Sequence, residues 1–381
     1  MEFKLNEEQQ MIRDTAREYA QNCLAPRVEE IERAEKFPDD LFKLMSEMGF
    51  ISIGFPEEYG GLDLGYLATS LAIEEISKVS GSAGTVLTVT LLPLDAIHMY
   101  GNQAQKDQYL PAGIRGDWKG SFAFTEAGTG SDPKQLTTIA TKTGEGTYKI
   151  SGVKRFISNA AYEGPMVLFA KEAETEECTA FIINKFCKGY SLSTPWEKVG
   201  FEGSHVYDVF LDDVEVTEED ILGERGKGFD ILIGATTYGK LAFSAVFTGT
   251  MGGAYDLAVK YAKEKLHRGK PIGKFPTIQS RIAQIAANML SAQLMLYKAA
   301  NDADTIKDDI RKVQGSTALL KGYVADLAVE TNVMAMNVLA SYGVTREYQV
   351  ERHVRDSLIG PNIEGSADIQ RLIAGSYILR S

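Results

Sequence analysis

Cysteine and histidine are scarce in this sequence. Cys23, Cys178 and Cys187 are the three cysteines in 381 residues, and none stands in a CxxC pair. Three thiols exclude a disulfide framework, and a reducing compartment, the cytoplasm, is expected. The histidines, His98, His205, His267 and His353, are scattered, so no metal site is expected. Basic charge is also short: 40 Lys and Arg against 52 Asp and Glu leave a net charge of −12. Nucleic acid and anionic lipid both require clustered cations, so neither partner is expected. The N-terminal MEFKLNEEQQ lacks the apolar run of a signal peptide. The least polar stretch, residues 241–255, carries no charge but is too short to span a bilayer and reads as a buried helix.

What is present is an ordinary globular composition, 44% apolar and 24% charged, over a length that allows two to three domains. Residues 1–117 read as helices. Asn6 and Gln9 have capping-box spacing, and Met11, Ile12, Thr15, Ala16 and Tyr19 recur at helical period. Pro26 predicts a kink or boundary. Further helices are predicted over 39–48, from about 67, and over 85–100, with FPEEYGGLDLG as a Gly-rich loop. Between 118 and 226 short β-rich runs (GSFAFTE, TTIATKTG, TYKISGVKRFIS, MVLFAKEA, CTAFIINK, YSLSTPW, HVYDVFLDDVEV) alternate with turn signals, which predicts an antiparallel barrel or sandwich. Residues 227–381 return to helical period, with long helices predicted at 231–266, 275–302, 308–341 and 345–358 and a short one from Ser366.

Four segments resemble one family, the acyl-CoA dehydrogenases. FAFTEAGTGSD (122–132) resembles the family's TEPxAGSD turn. GVKRFISNA (152–160) resembles G-x-K-x-[WF]-I-[TS]-N. VKYAKEKLHRGKPIGKFPTIQ (259–279) is similar to Y-A-x-x-R-x-x-F-G-K-P-I-x-x-F-Q. REYQVERHVRDSLIGPNIEGSADIQRL (346–372) is similar to E-Y-P-V-E-R-x-x-R-D…Y-E-G-T-x-x-I-Q-R, the most specific of the four. The resemblance runs over essentially the whole chain. It implies an α+β multidomain fold: an N-terminal helical domain, a middle β-domain and a C-terminal four-helix bundle. It also implies FAD, an acyl-CoA or acyl-carrier-protein thioester, an electron-transferring flavoprotein as acceptor, and a homotetramer.

By the same resemblance Phe124 and Thr125 face the flavin ring, with Gly130 in the adjoining turn. Ser131 contacts flavin phosphate or thioester, Phe156 packs near the ring, and Ser158 bonds flavin N5. Glu364 falls on the family's catalytic base, whose burial would raise its pKa. The Glu364 N–H would bond the thioester carbonyl, and Gly365 and Ser366 open the following helix. Gly239 and Lys240 stand where some relatives carry the base instead, and a glycine there leaves room in the acyl pocket. The clamp for a neighbouring subunit's FAD departs from pattern: Lys265, Arg268 and Pro276 replace Arg, Phe and Gln, while Asn337 and Ser341 replace Gln and Gly. A Lys neutralises phosphate but does not fork onto it as Arg does. Glu202 replaces an Arg on the CoA side, and Arg355 and Asp356 match a family ion pair.

Asp95, in LLPLDAIHMYG, is unexpected on an apolar helix. Its plain reading is an exposed or helix-capping Asp after Pro93. Its sharper reading is a second pocket carboxylate that reads a polar or cationic acyl group or assists on a cyclic acyl-CoA. A carrier-protein aminoacyl oxidase and a non-catalytic scaffold are the alternative functions.

Overall fold

Asn6 opens the first helix, α1 (Glu7–Tyr19), through the reciprocal capping box with Gln9 that the spacing predicts. The computed structural model describes residues 4–34, 36–130, 132–306 and 309–380. Around Pro26 the helix loosens into a π-turn (Ala20–Leu24) and a 3-10 turn (Ala25–Arg27) before α2 (Val28–Arg33). Then come α3 (Asp39–Glu47), α4 (Gly65–Val79), α5 (Gly81–Tyr100) and α6 (Gln103–Ile114). The sequence reading missed α6, although Asn102 and Gln105 form a second capping box.

The middle region holds β1 (Ser121–Ala123), β2 (Ile139–Gly144), β3 (Thr147–Ser158), β4 (Pro165–Glu172), β5 (Cys178–Asn184), β6 (Tyr190–Leu192), β7 (Val206–Thr217) and β8 (Ile221–Leu222). They form one sheet in the order β6-β7-β3-β2-β4-β5-β8, with β1 on β4. The expected all-antiparallel pattern needs correction, because β4 runs parallel to both β1 and β2. The sequence conceals this because β4 is buried on both faces. Val167 and Phe169 of β4 join the main core, while Met166, Leu168 and Ala170 join a separate core inside the sheet. A strand covered on both sides reads as a continuous apolar run, PMVLFA, rather than an alternation.

The C-terminal region comprises α7 (Gly228–Glu264), a hairpin of β9 (Leu266–His267) and β10 (Lys270–Pro271), then α8 (Pro276–Thr305), α9 (Ile310–Val338), α10 (Val350–Ile359) and α11 (Ala367–Ile378). The hairpin was not foreseen, and 3-10 turns occupy the start of the predicted 345–358 helix. The uncharged stretch 241–255 lies inside α7, whose 37 residues are long and apolar enough to cross a membrane, as are the 20 of α5. In each, 78% of the apolar window is buried in the fold, as in the core helices of a folded domain. α7 packs on α8 and α9 and also on α4 and α5, so it joins the two helical regions.

One contact fixes the wall of the later site. Gly65 has φ +77°, and a Cβ there would strike the carboxylate of Asp304 from α8. That carboxylate accepts the N–H groups of Tyr66 (2.6 Å) and Leu67 (3.0 Å), and so caps α4 from another part of the chain.

Candidate active site

Glu364 sits in the turn between α10 and α11 with φ +51°, followed by Gly365 at φ +75°. A left-handed glutamate is uncommon and is held here by its surroundings. Lys321 of α9 donates to the carbonyls of Gly360 (2.9 Å) and Gly365 (3.4 Å). Gln370 donates to the carbonyl of Glu364 (3.3 Å), and Ser366 caps α11 as expected. The turn aims the carboxylate at α7, where Gly239 leaves the space that it fills. A Cβ on Gly239 would collide with Glu364 Oε1 and lie 3.1 Å from its Cδ. The room made by Gly239 is therefore taken first by Glu364.

Oε1 of Glu364 is buried and has no hydrogen-bond partner among the described residues. Burial raises its pKa, while Lys240 and Lys321 pull the other way. Burial in turn brings both lysines down to about 8. Lys240 is buried beside Gly239 on α7. Its influence reaches the site through the charge of Glu364. Lys321 and Gln370 escaped the sequence reading; the signal was a lone Lys within the apolar run TALLKGYVADLA.

Beside Gly239 lies a cavity of about 20 Å³, room for about one water in this form. α5 contributes Thr88, Leu91, Leu92 and Asp95, α4 contributes Tyr66, Thr69 and Ser70, and α7 contributes Tyr238 and Gly239. Leu92 Cδ1 comes within 3.2 Å of a Cβ built on Gly239, so this cavity adjoins the Glu364 carboxylate. Asp95 lies on the wall and not on an exposed face or at a helix end, which overturns its plain reading. Burial pushes its carboxyl up to about 7.

The flavin-side residues stand on the middle sheet. Arg155 N–H donates to the Thr125 carbonyl (2.8 Å), and Ser121 Oγ donates to the Ser158 carbonyl (2.8 Å), which ties the two motifs side by side. Beneath them a buried Lys154–Glu126 pair (2.7 Å) also anchors the Phe124 carbonyl. Burial pushes Glu126 up, but Lys154, Thr137 and Thr138 outweigh it and take it down to about 2. The two motifs each carry one member of this pair, which their sequence spacing does not signal. Phe124 turns its ring onto Phe169 (5.6 Å, edge-on). Phe156 is 52% exposed at φ +58° beside Trp196 (5.2 Å), an open aromatic shelf. Apolar rings flanked by the half-buried Thr125 and Ser158 fit a flavin face. Gly130 is exposed with nothing within 4 Å of a Cβ, so the chain's own packing does not demand glycine there. Ser131 lies outside the described residues.

The remaining cofactor positions do not join this group within one chain. Lys265 ends α7, 26 residues after Gly239, or about 39 Å along the helix at ~1.5 Å per residue. Its Nζ lies 4.8 Å from the centre of the Tyr342 ring, next to Ser341; Arg268 turns the β9–β10 hairpin, and Asn337 is exposed near the end of α9. On the CoA side Glu202 is held by Arg355 (2.6 Å), which also binds Glu351 and Glu32. Arg355 does not pair with Asp356, whose carboxylate accepts the Phe201 N–H (2.7 Å) instead.

The sequence matches three family descriptions in order: "Acyl-CoA dehydrogenase, N-terminal domain" over residues 6–117, "middle domain" over 121–214 and "C-terminal domain" over 226–379. The chain belongs to the acyl-CoA dehydrogenase family. It is thus a flavin oxidoreductase acting on CH–CH bonds, and FAD is its cofactor. The short-chain specific acyl-CoA dehydrogenase of Clostridium acetobutylicum is 32% identical, with all of both chains covered. The structure of butyryl-CoA dehydrogenase from Megasphaera elsdenii superposes with a TM-score of 0.95 at 30% identity, again over both whole chains. A chain from the structural study of the electron transferring flavoprotein of Acidaminococcus fermentans, which addresses flavin-based electron bifurcation, gives 0.95 at 33% over both whole chains. The scaffold alternative falls with these findings.

Proposed function

We propose that this acyl-CoA dehydrogenase oxidises a short acyl-CoA to its 2,3-enoyl thioester with Glu364 as the base. The observation that carries the reading is the buried, unpartnered Oε1 of Glu364, seated on Gly239 at the edge of the pocket. A carboxylate held out of water is a stronger base than one in solution, and it can take the α-proton as soon as it faces it. Burial raises its pKa, and the charges of Lys240 and Lys321 oppose that rise. No hydrogen bond to the Glu364 N–H is found among the described residues, so this donor is free for the thioester carbonyl, where it stabilises the developing enolate. Bound FAD supplies the acceptor for the β-hydrogen as hydride. Thr125, Phe156 and Ser158 would hold the ring.

Lys265, Arg268, Asn337 and Ser341 serve a second copy. Their distance from Gly239 and their grouping at one end of the helical region support an intersubunit clamp within a homotetramer. An electron-transferring flavoprotein is the proposed acceptor and the cytoplasm the proposed site of action. The test is anaerobic titration of the purified holoenzyme with butyryl-CoA and longer acyl-CoAs while the flavin absorbance is followed. Bleaching by short chains is expected. A flavin that no acyl-CoA bleaches would overturn the reading.

A further inference from the structure

The pocket wall carries one formal charge, and it has no partner. Among the described residues no hydrogen bond or ion pair reaches the Asp95 carboxylate, and no Lys, Arg or His lines the cavity. The position has no helical use. Asp95 is the fifteenth of twenty residues of α5, too far in to cap the N-terminus, and negative charge toward a C-terminus opposes the helix dipole. For a plain alkyl chain a half-buried carboxylate is a penalty, because charge is withdrawn from water with nothing in return.

Two aromatic rings share the same wall. Tyr66 and Tyr238 stack at 4.2 Å with 12° between planes. Burial raises both hydroxyls, and Asp95 interacts electrostatically with each and adds to the rise. A carboxylate beside aromatic rings is the chemistry that recognises a cationic nitrogen, one group by charge and the others through ring quadrupoles. Leu92 lies next to Gly239 and Glu364, and Asp95 is three residues further along α5, a rise of about 4.5 Å. The charge thus sits a few atoms beyond the carbons that react.

We propose that Asp95, with the stacked rings of Tyr66 and Tyr238, selects an acyl-CoA whose acyl chain carries a cationic nitrogen at its remote end. The inference rests on the reading of this pocket as the acyl site. Its test uses two probes of equal shape, 4-(trimethylammonio)butyryl-CoA and 5,5-dimethylhexanoyl-CoA, which differ in one charge. Butyryl-CoA is the control. Anaerobic flavin reduction by the wild-type holoenzyme should favour the cationic probe in kcat/KM by about tenfold or more, the effect of roughly one paired charge. Asp95→Asn should remove that preference, read as the ratio of kcat/KM for the two probes within the same variant. The inference is overturned if the wild type prefers the neutral probe, if the ratio is unchanged in Asp95→Asn, or if butyryl-CoA bleaches the flavin and neither larger probe does. Failure of all three thioesters would instead remove the acyl-site reading, and this inference with it. The wild-type ratio alone decides the matter should the variant not fold.

Discussion

Two buried clusters in this protein join glutamate to lysine and leave the glutamates in opposite states. Glu126 meets Lys154 at 2.7 Å and accepts three further donors from Thr137 and Thr138, and it is held at about 2. Glu364 has two lysines in its field, yet neither touches it, one oxygen has no partner, and its pKa is raised. Contact converts the first into structure. Separation leaves the second reactive: Lys321 spends its hydrogen bonds on the backbone carbonyls of Gly360 and Gly365.

The sharpest test of this contrast is removal of the reactive charge. Glu364→Gln should keep flavin bound and slow its reduction by acyl-CoA by about 10²–10⁴, the range for losing a positioned base. Stopped-flow bleaching reads this directly, and wild-type rates in the variant would end the proposal for Glu364. In the structural cluster, Lys154→Met should leave Glu126 buried and unpaired and destabilise the protein by about 3–5 kcal/mol, seen in the denaturation midpoint. The double change with Glu126→Met should recover much of that loss, and a single variant as stable as wild type would show that the pair is dispensable.

Gly239→Ala sets a methyl where the Glu364 oxygen lies. The carboxylate must move, and an expected drop of at least tenfold in kcat should come with roughly 1–3 kcal/mol of overpacking strain. A fourth test is electrostatic. Activity should fall as pH drops through the raised pKa of Glu364. Lys321→Met removes a cation that holds it down, so the acid limb should move to higher pH by about one unit or more. An acid limb that stays in place would exclude Lys321 from tuning the base.

The smallest effect concerns Asp95. Its folded pKa of about 7 stands above the unfolded 3.8, so the folded state binds the proton more tightly. The stability this provides is full below about pH 4 and is lost as pH rises to about 7. Asp95→Asn should therefore gain a few degrees of melting temperature over wild type at pH 8 relative to pH 5. An equal difference at both pH values would contradict a burial-shifted Asp95.

The order helical, β, helical and most elements were legible because their signals are local: the Asn6–Gln9 box, the strand runs and the serine before α11. Glu364 was legible through a family resemblance, but its dependence on Gly239 was not, since the two lie 125 residues apart and meet only in the fold. Asp95 failed for the same reason. A charged residue on an apolar helix reads as exposed until α4 and α7 are known to close over it. The parallel pairings of β4 were hidden because a strand buried on both faces gives no period. The hairpin of β9 and β10, two residues each, is too short to leave a pattern.

The cap on α4 sets an order of assembly. The N–H groups of Tyr66 and Leu67 are satisfied by Asp304, some 238 residues later. During synthesis the pocket wall carrying Tyr66 thus waits through most of translation for its partner. At about 5–20 residues per second that interval is of order 10–50 s. The acyl pocket is among the last features this chain can complete, however early its helices form.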